Sequence, residues 1–151
     1  MLLRQDRAQT AIAVALDVAF HAGRAGALVG ASEVAERLGA ARRGLEPVLQ
    51  GLSRAGVLES VRGPRGGYRL ARRPREIRLL DLVLALEEGA EPPAGDALSG
   101  ALQAAVTAPL WGELDKLLRD HLAGLTLDDL LRNASAAGLR RPTSEPLNFA
   151  I

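Results

Sequence analysis

The residues best placed to do chemistry in this chain are arginines. A guanidinium offers forked hydrogen bonding to a phosphate, or to the O6/N7 edge of guanine. Arg62, Arg65 and Arg69 fall with Tyr68 in the run Arg62-Gly63-Pro64-Arg65-Gly66-Gly67-Tyr68-Arg69. Arg42, Arg43 and Arg54 fall with Gln50 in an earlier stretch, and Arg72, Arg73 and Arg75 follow the run. The bland alternative for each is a solvated surface charge. For Arg42 and Arg43 that alternative is weakened, because positive charge at the start of a helix opposes the helix dipole.

Other chemistries lack their residues. The chain has no cysteine, which removes disulfides, thiolate metal sites and cysteine-ligated iron–sulfur clusters. His21 and His121 have no second ligand at helical spacing, so no metal and no cofactor is expected. His121 could serve as a ligand or pH sensor, but a half-buried, hydrogen-bonded role is the plainer reading; His21 suits a helix C-terminus. No Ser/His/Asp set or carboxylate pair with a pocket emerges, and Asp128-Asp129 and Glu87-Glu88 read as a helix cap and a solvated face. An enzyme is therefore not expected. Gly63-Pro64-Arg65-Gly66-Gly67 is not a nucleotide loop, since no Lys-Ser/Thr follows and no helix opens there.

The elements that must hold the arginines can be read from periodicity. Residues 5–22 carry Ala8, Ile12, Ala15, Leu16 and Ala19 at helical spacing, with Val14, Val18 and Phe20 alongside, ended by Gly23 and Gly26. Ser32 is expected to cap a short helix from Glu33 to Leu38, with Val34, Ala35 and Leu38 inward. After Gly39-Ala40-Ala41, a helix from Arg42 to Ala55 has Leu45, Val48, Leu49 and Leu52 apolar, Pro47 in its first turn and Gly56 at its end. Val57 to Val61 and the residues after Gly66 form a hairpin. Short helix, tight turn, second helix and hairpin is the order of a winged helix-turn-helix. A fourth helix is expected from Ile77 to Glu88, then a loop over 89–100 with a turn or two of helix at Ala101 to Val106. A long helix follows from about Thr107, as cap, to Ala123. Its Leu110, Leu114, Leu117 and His121 are spaced four, three and four, a coiled-coil seam flanked by Leu118 and Leu122. Thr126 and Asp129 form a capping box for a helix from Leu127 to Ala137, and residues 140–151 read as extended.

Composition agrees with a mainly α protein bearing one small hairpin. At 151 residues a single domain with an appended helix is expected, and 3% aromatics require an aliphatic core. Net charge of +1 conceals an asymmetry: residues 1–78 hold 14 Arg against 7 acids, and residues 79–151 hold 5 basic residues against 11 acids. A basic half suits a polyanion. No apolar run reaches membrane-spanning length and no secretory signal is apparent, so a cytoplasmic location without a membrane partner is expected.

The sequence also resembles the Rrf2 family of bacterial winged-helix regulators. The likeness rests on Leu45-Glu46, Val48-Leu49, Leu52 to Leu58, and Ser60 to Ala71, with Ile77, Leu79 to Val83, Ala85-Leu86-Glu87, Trp111 and Thr126 to Leu130. It covers about residues 5–133, and the hairpin run is its most specific part. It implies a transcriptional regulator, with double-stranded DNA as partner. Cluster-binding members carry three cysteines in the segment corresponding to 89–106, and this chain has none. The family also often has aromatics at the places of Ala8 and Gly44.

These readings converge on an expected division: residues 1–88 as the winged-helix DNA-binding domain, 89–106 as a loop, and 107–151 as dimerisation helix and C-terminal segment. The candidate DNA contacts are Arg42, Arg43, Gln50, Arg54, Arg62, Arg65, Tyr68 and Arg69. The candidate dimer contacts are Leu110, Leu114, Leu117 and His121. A homodimer acting as a repressor on an inverted repeat is expected, with an effector, small molecule or protein, that no motif identifies. The rival class is a winged helix that binds another protein and no DNA; the basic half argues against it.

Overall fold

The fold is taken from a computed structural model, which describes residues 5–22, 26–87 and 98–142. The elements are α1 (Gln5–Ala22), α2 (Ala31–Arg37), α3 (Arg42–Arg54), β1 (Leu58–Val61), β2 (Gly67–Leu70), α4 (Leu79–Leu84), α5 (Ala108–Ala123) and α6 (Leu127–Ala136). Helices around one antiparallel hairpin form the winged helix-turn-helix that the residue pattern indicated.

One aliphatic core unites these elements. From α1 it takes Ala11, Val14, Ala15, Val18, Ala19 and Ala22. The ridge at 8, 12 and 16 expected from the sequence is only partly buried, because the closest face of α1 is the one lined by small residues. Leu45, Leu49 and Leu52 enter from α3, Val57 and Leu58 from the hairpin, Leu79 and Leu82 from α4, and Leu127 and Leu131 from α6. α6 thus belongs to the core of the winged unit although it lies beyond α5.

Several local expectations are corrected. α2 starts at Ala31, not after a Ser32 cap: the Gly30 N–H donates to the Glu33 carboxylate at 3.0 Å, so the longer acid reaches back and supplies the cap. Leu38, expected inward, is 36% exposed at the end of that helix. α3 begins at Arg42, which puts Pro47 in its second turn; Pro47 cannot donate to the Arg43 carbonyl, and the loss is tolerated on a face open to solvent. The fourth helix is shorter than expected. Pro74–Glu76 is a single 3₁₀ turn, and Ile77 and Arg78 stay extended to pair with the segment before α6. Leu79 N–H donates to Leu125 O and Leu127 N–H to Ile77 O, both at 2.9 Å. The expected end at Glu88 lies outside the described residues, as do most of the expected loop and the last part of the tail.

Thr107 does not cap the long helix. Helical structure already begins at Ala101, and Gln103–Thr107 forms a wide π turn leading into α5. The Thr107 hydroxyl donates to the Gln103 carbonyl. Pro109 explains the widening, since it cannot close the ordinary bond to the carbonyl four residues back. The Thr126–Asp129 capping box is present as expected: Asp129 N–H donates to Thr126 Oγ1, and Thr126 N–H donates to Asp129 Oδ2.

Candidate nucleic-acid interface

α3 separates its residues sharply. Leu45, Val48, Leu49, Gly51 and Leu52 are buried, while Arg42, Arg43, Glu46, Pro47, Gln50 and Arg54 are exposed. Arg43, Pro47, Gln50 and Arg54 follow one another at three- and four-residue steps, so they form one outward stripe. Gly51 permits the inner face to seat closely: a Cβ there would lie 2.7 Å from Leu86 Cδ2. The N-terminal end of α3 has Ala41 in the capping position and no side-chain cap. Unclaimed N–H groups and the helix dipole both favour an anion there. Arg42 lies 3.8 Å from Glu46 in an exposed pair, whereas Arg43 and Arg54 have no ion pair among the described residues.

The hairpin is anchored at its base and open at its tip. Leu58 pairs with Leu70 and Val61 with Gly67. Val29, between α1 and α2, adds a further bridge: its N–H donates to Tyr68 O, and Tyr68 N–H donates to Val29 O, both at 2.8 Å. That close approach requires Gly67, where a Cβ would stand 2.7 Å from Val29 O. Gly66 N–H closes the turn on Gly63 O at 2.9 Å, and a Cβ on Gly66 would fall 2.2 Å from Val61 O. The glycines of the run therefore serve the turn and its anchorage, which leaves Arg62 and Arg65 exposed at the tip without an ion pair among the described residues.

The remaining candidates on the hairpin are engaged differently. Arg69 donates to Glu59 across the strands at 2.8 Å, and that guanidinium holds the Glu59 carboxyl below its ordinary range. Tyr68 is half-buried and packs against the core. Arg72 donates to the Gly56 carbonyl at 3.3 Å and lies 3.9 Å from Asp81.

A half-buried ion pair escaped the sequence reading. Asp17 of α1 is 8% exposed, and Arg37 of α2 grips it with both Nε and Nη2, the latter at 2.8 Å. His21 Nδ1 lies 2.9 Å from the Asp17 carbonyl oxygen and 3.3 Å from Oδ1. This pair ties the helix that precedes α3 to the core helix α1. Asp17 and Arg37 are twenty residues apart, and nothing in their local patterns links them.

The candidate dimer contacts lie on α5, away from the core. Leu110, Leu114 and Leu117 are 49%, 39% and 65% exposed, and Trp111 beside them is 43% exposed. Leu102 and Val106 continue the stripe backwards and are also exposed. His121 is exposed, not half-buried as its place on an apolar seam suggested, because that face meets no other element among the described residues. The opposite face of α5 turns inward: Leu122 packs on the core, and Arg119 donates to Asp115 at 2.7 Å and to Glu87 at 3.4 Å.

A model of the Rrf2 family, described as an iron-dependent transcriptional regulator, matches residues 5–133. The chain is similar to the protein rrf2 of Nitratidesulfovibrio vulgaris, 34% identical over 123 residues that cover 80% of this chain and 81% of that protein. It is also similar to the HTH-type transcriptional regulator IscR of Aliivibrio salmonicida, 32% identical over 128 residues, covering 83% and 75%. Among solved structures, IscR of T. potens superposes with a TM-score of 0.68 at 31% identity, covering 90% of both chains. CymR, the global cysteine regulator of B. subtilis, superposes with a TM-score of 0.64 at 25% identity, covering 86% of this chain and 96% of that one. The iron-dependence in the family's description can be set against the residues of this chain. It has no cysteine, and among the described residues no three metal-binding side chains gather. The donor set does not fit a thiolate-held cluster.

Proposed function

Since the chain belongs to the Rrf2 family of transcriptional regulators, we propose that it binds operator DNA as a homodimer and represses transcription in the cytoplasm without an iron–sulfur cluster. Residues 1–88, whose core α6 completes, carry the DNA contacts, the 89–106 stretch leads into α5, and α5 within 107–151 supplies the dimer contact. α3 enters the major groove, with Arg43, Gln50 and Arg54 along its outward stripe and Arg42 at its start. The hairpin reaches the neighbouring minor groove or its phosphates through Arg62 and Arg65. Arg69, held by Glu59, and Tyr68, packed on the core, set the hairpin's pose and contribute less directly. The observation that carries this reading is the outward stripe of α3 together with a hairpin tip whose guanidiniums have no partner among the described residues.

Two such units related by a two-fold axis read an inverted repeat. The leucines of α5 support that arrangement, because an exposed stripe of this kind is unfavourable in water by roughly 25 cal/mol per Å². The test is binding of the purified protein to selected genomic fragments across a salt series. Affinity should fall steeply with salt, with a logarithmic slope of about −0.9 per phosphate neutralised. Arg43→Ala should cost about 1–3 kcal/mol at particular base pairs, whereas Arg65→Ala should weaken all sequences evenly and shallow the slope by about one. Binding with neither salt dependence nor sequence preference would favour a protein-interaction module instead.

A further inference from the structure

We propose that a cleft at the base of the hairpin is a binding site for a small organic anion with an apolar body, and that its occupancy bears on the hairpin. The cleft has a volume of about 670 Å³, within the range of small-molecule sites. Its walls come from five places in the chain: Ala19 and Ala22 at the end of α1, Gly26 after it, the stretch from Leu70 at the end of β2 to Glu76, Asp128 in the first turn of α6, and Arg141 beyond it. Ala19, Ala22, Leu70 and Pro74 give it an apolar floor. None of its lining residues belongs to α3 or to the turn between β1 and β2.

The sign of the ligand follows from the charges of the lining, where Arg72, Arg73 and Arg141 outnumber Glu76 and Asp128, and from which guanidiniums lack a partner. Glu76 accepts a hydrogen bond from the Arg73 N–H at 3.1 Å, and Asp128 lies 3.7 Å from Arg132. Arg72 is turned to the Gly56 carbonyl and Asp81. Two guanidiniums are left, those of Arg73 and Arg141, and neither has an ion pair or side-chain hydrogen bond among the described residues. They approach from segments far apart in sequence. Two unpaired guanidiniums lining a cleft with an apolar floor are matched by a carboxylate or another small oxyanion on a hydrocarbon frame. The cleft touches the DNA-binding unit at a sensitive place. Arg73 and Pro74 follow β2 after two residues, and β2 leads out of the turn that holds the tip arginines Arg62 and Arg65; the strand is tied to Val29 and β1 and packs on the core through Tyr68 and Leu70. The coupling half of this inference rests on the proposed DNA binding; the site itself does not.

The experiment is titration of the free protein with octanoate, followed by amide NMR, with octylammonium as the control of opposite charge. Octanoate should shift the amide resonances of Leu70 to Arg73, of Arg75 and Glu76, and of Asp128, while octylammonium leaves them in place. Arg73→Gln with Arg141→Gln should weaken octanoate at least about tenfold while the rest of the spectrum stays native, which corresponds to losing about one charge-assisted hydrogen bond. Equal shifts with both probes, shifts confined to α5, or an unchanged octanoate affinity in the double variant would overturn the site. In a salt series on duplex DNA the double variant should keep the wild-type slope. A shallower slope would mean that these guanidiniums hold phosphates of the DNA backbone, and would overturn the proposal in favour of a wider DNA footprint. Loss of octanoate binding therefore reads out separately from loss of DNA binding.

Discussion

α3 and α5 are both amphipathic helices built on leucine, and they dispose of it in opposite ways. In α3, Leu49 and Leu52 are fully buried and Leu45 is 4% exposed, while the arginines point outward. In α5 the leucines at 110, 114 and 117 face solvent, and the charged Arg119 sits on the inner side, bonded to Asp115 and Glu87. A helix that buries its apolar stripe and displays cations is complete within its own chain and seeks a polar ligand. A helix that displays its apolar stripe has its packing partner elsewhere. The winged unit closes its core with α6, which returns after α5 to insert Leu127 and Leu131. Nothing comparable returns to cover α5 among the described residues.

The strongest way to break this contrast is to charge the α5 stripe. Leu114→Glu with Leu117→Glu should yield a monomer by light scattering, since neither residue contributes to the core of its own chain. The winged unit should keep its thermal transition. Affinity for an inverted repeat should drop by about a hundredfold or more, because the second half-site is no longer tethered to the first. A variant that remains dimeric would move the interface to another surface.

The contrast was legible in part. Periodicity placed α1, α3, the hairpin and α6, and it marked Leu110, Leu114 and Leu117 as one face, because apolar spacing is a local property of the chain. The capping box at Thr126 was legible for the same reason: both partners lie within four residues and are of the expected types. Gly30 was not, because the capping group is the side chain of Glu33 and the position itself carries none. Thr107 misled because a good capping residue happened to stand before a proline inside a helix that was already running. Asp17–Arg37 and Val29–Tyr68 were invisible, since each depends on segments brought together only by the finished core. Which arginines are held by acids, Arg69 by Glu59 and Arg37 by Asp17, is also a tertiary fact, and it divides arginines that look equivalent in the sequence.

The self-sufficiency of the winged unit can be tested at the Asp17–Arg37 pair. Arg37→Ala leaves the buried Asp17 carboxylate with His21 beside it and without its guanidinium, which should cost about 1–3 kcal/mol, the penalty of a buried acceptor that loses its main donor. Urea unfolding of the monomeric α5 variant, with and without Arg37→Ala, measures this free of any dimer contribution. Arg37→Ala combined with Asp17→Asn should recover part of the loss, since the stranded charge is gone. Equal midpoints for Arg37→Ala and its parent would mean that water reaches Asp17 and that α2 is held by Val34 and Ala35 alone.

The smallest effect belongs to the joint between the two regions, where α5 ends and α6 re-enters the core. Thr126 and Asp129 cap α6, and Asp129 accepts from the Thr126 N–H and hydroxyl and from Arg132. The Thr126 backbone bond, first of these causes, holds the Asp129 carboxyl below its ordinary range. A carboxyl whose pKa is lowered by folding stabilises the fold at pH values above its unfolded pKa, and that contribution is lost as pH falls through the folded value. Thr126→Ala should therefore cost about 1 kcal/mol near neutral pH, as for other N-cap losses. Asp129→Asn should unfold more readily than wild type near neutrality, and the gap between them should close as pH drops below the carboxylate range, about pH 4. Because α6 locks the winged core while α5 projects from it, the damage should appear in the unfolding midpoint and leave the dimer mass unchanged. If either substitution instead altered the oligomeric state, the joint would transmit strain into α5, and the two regions would not be as separable as their packing indicates.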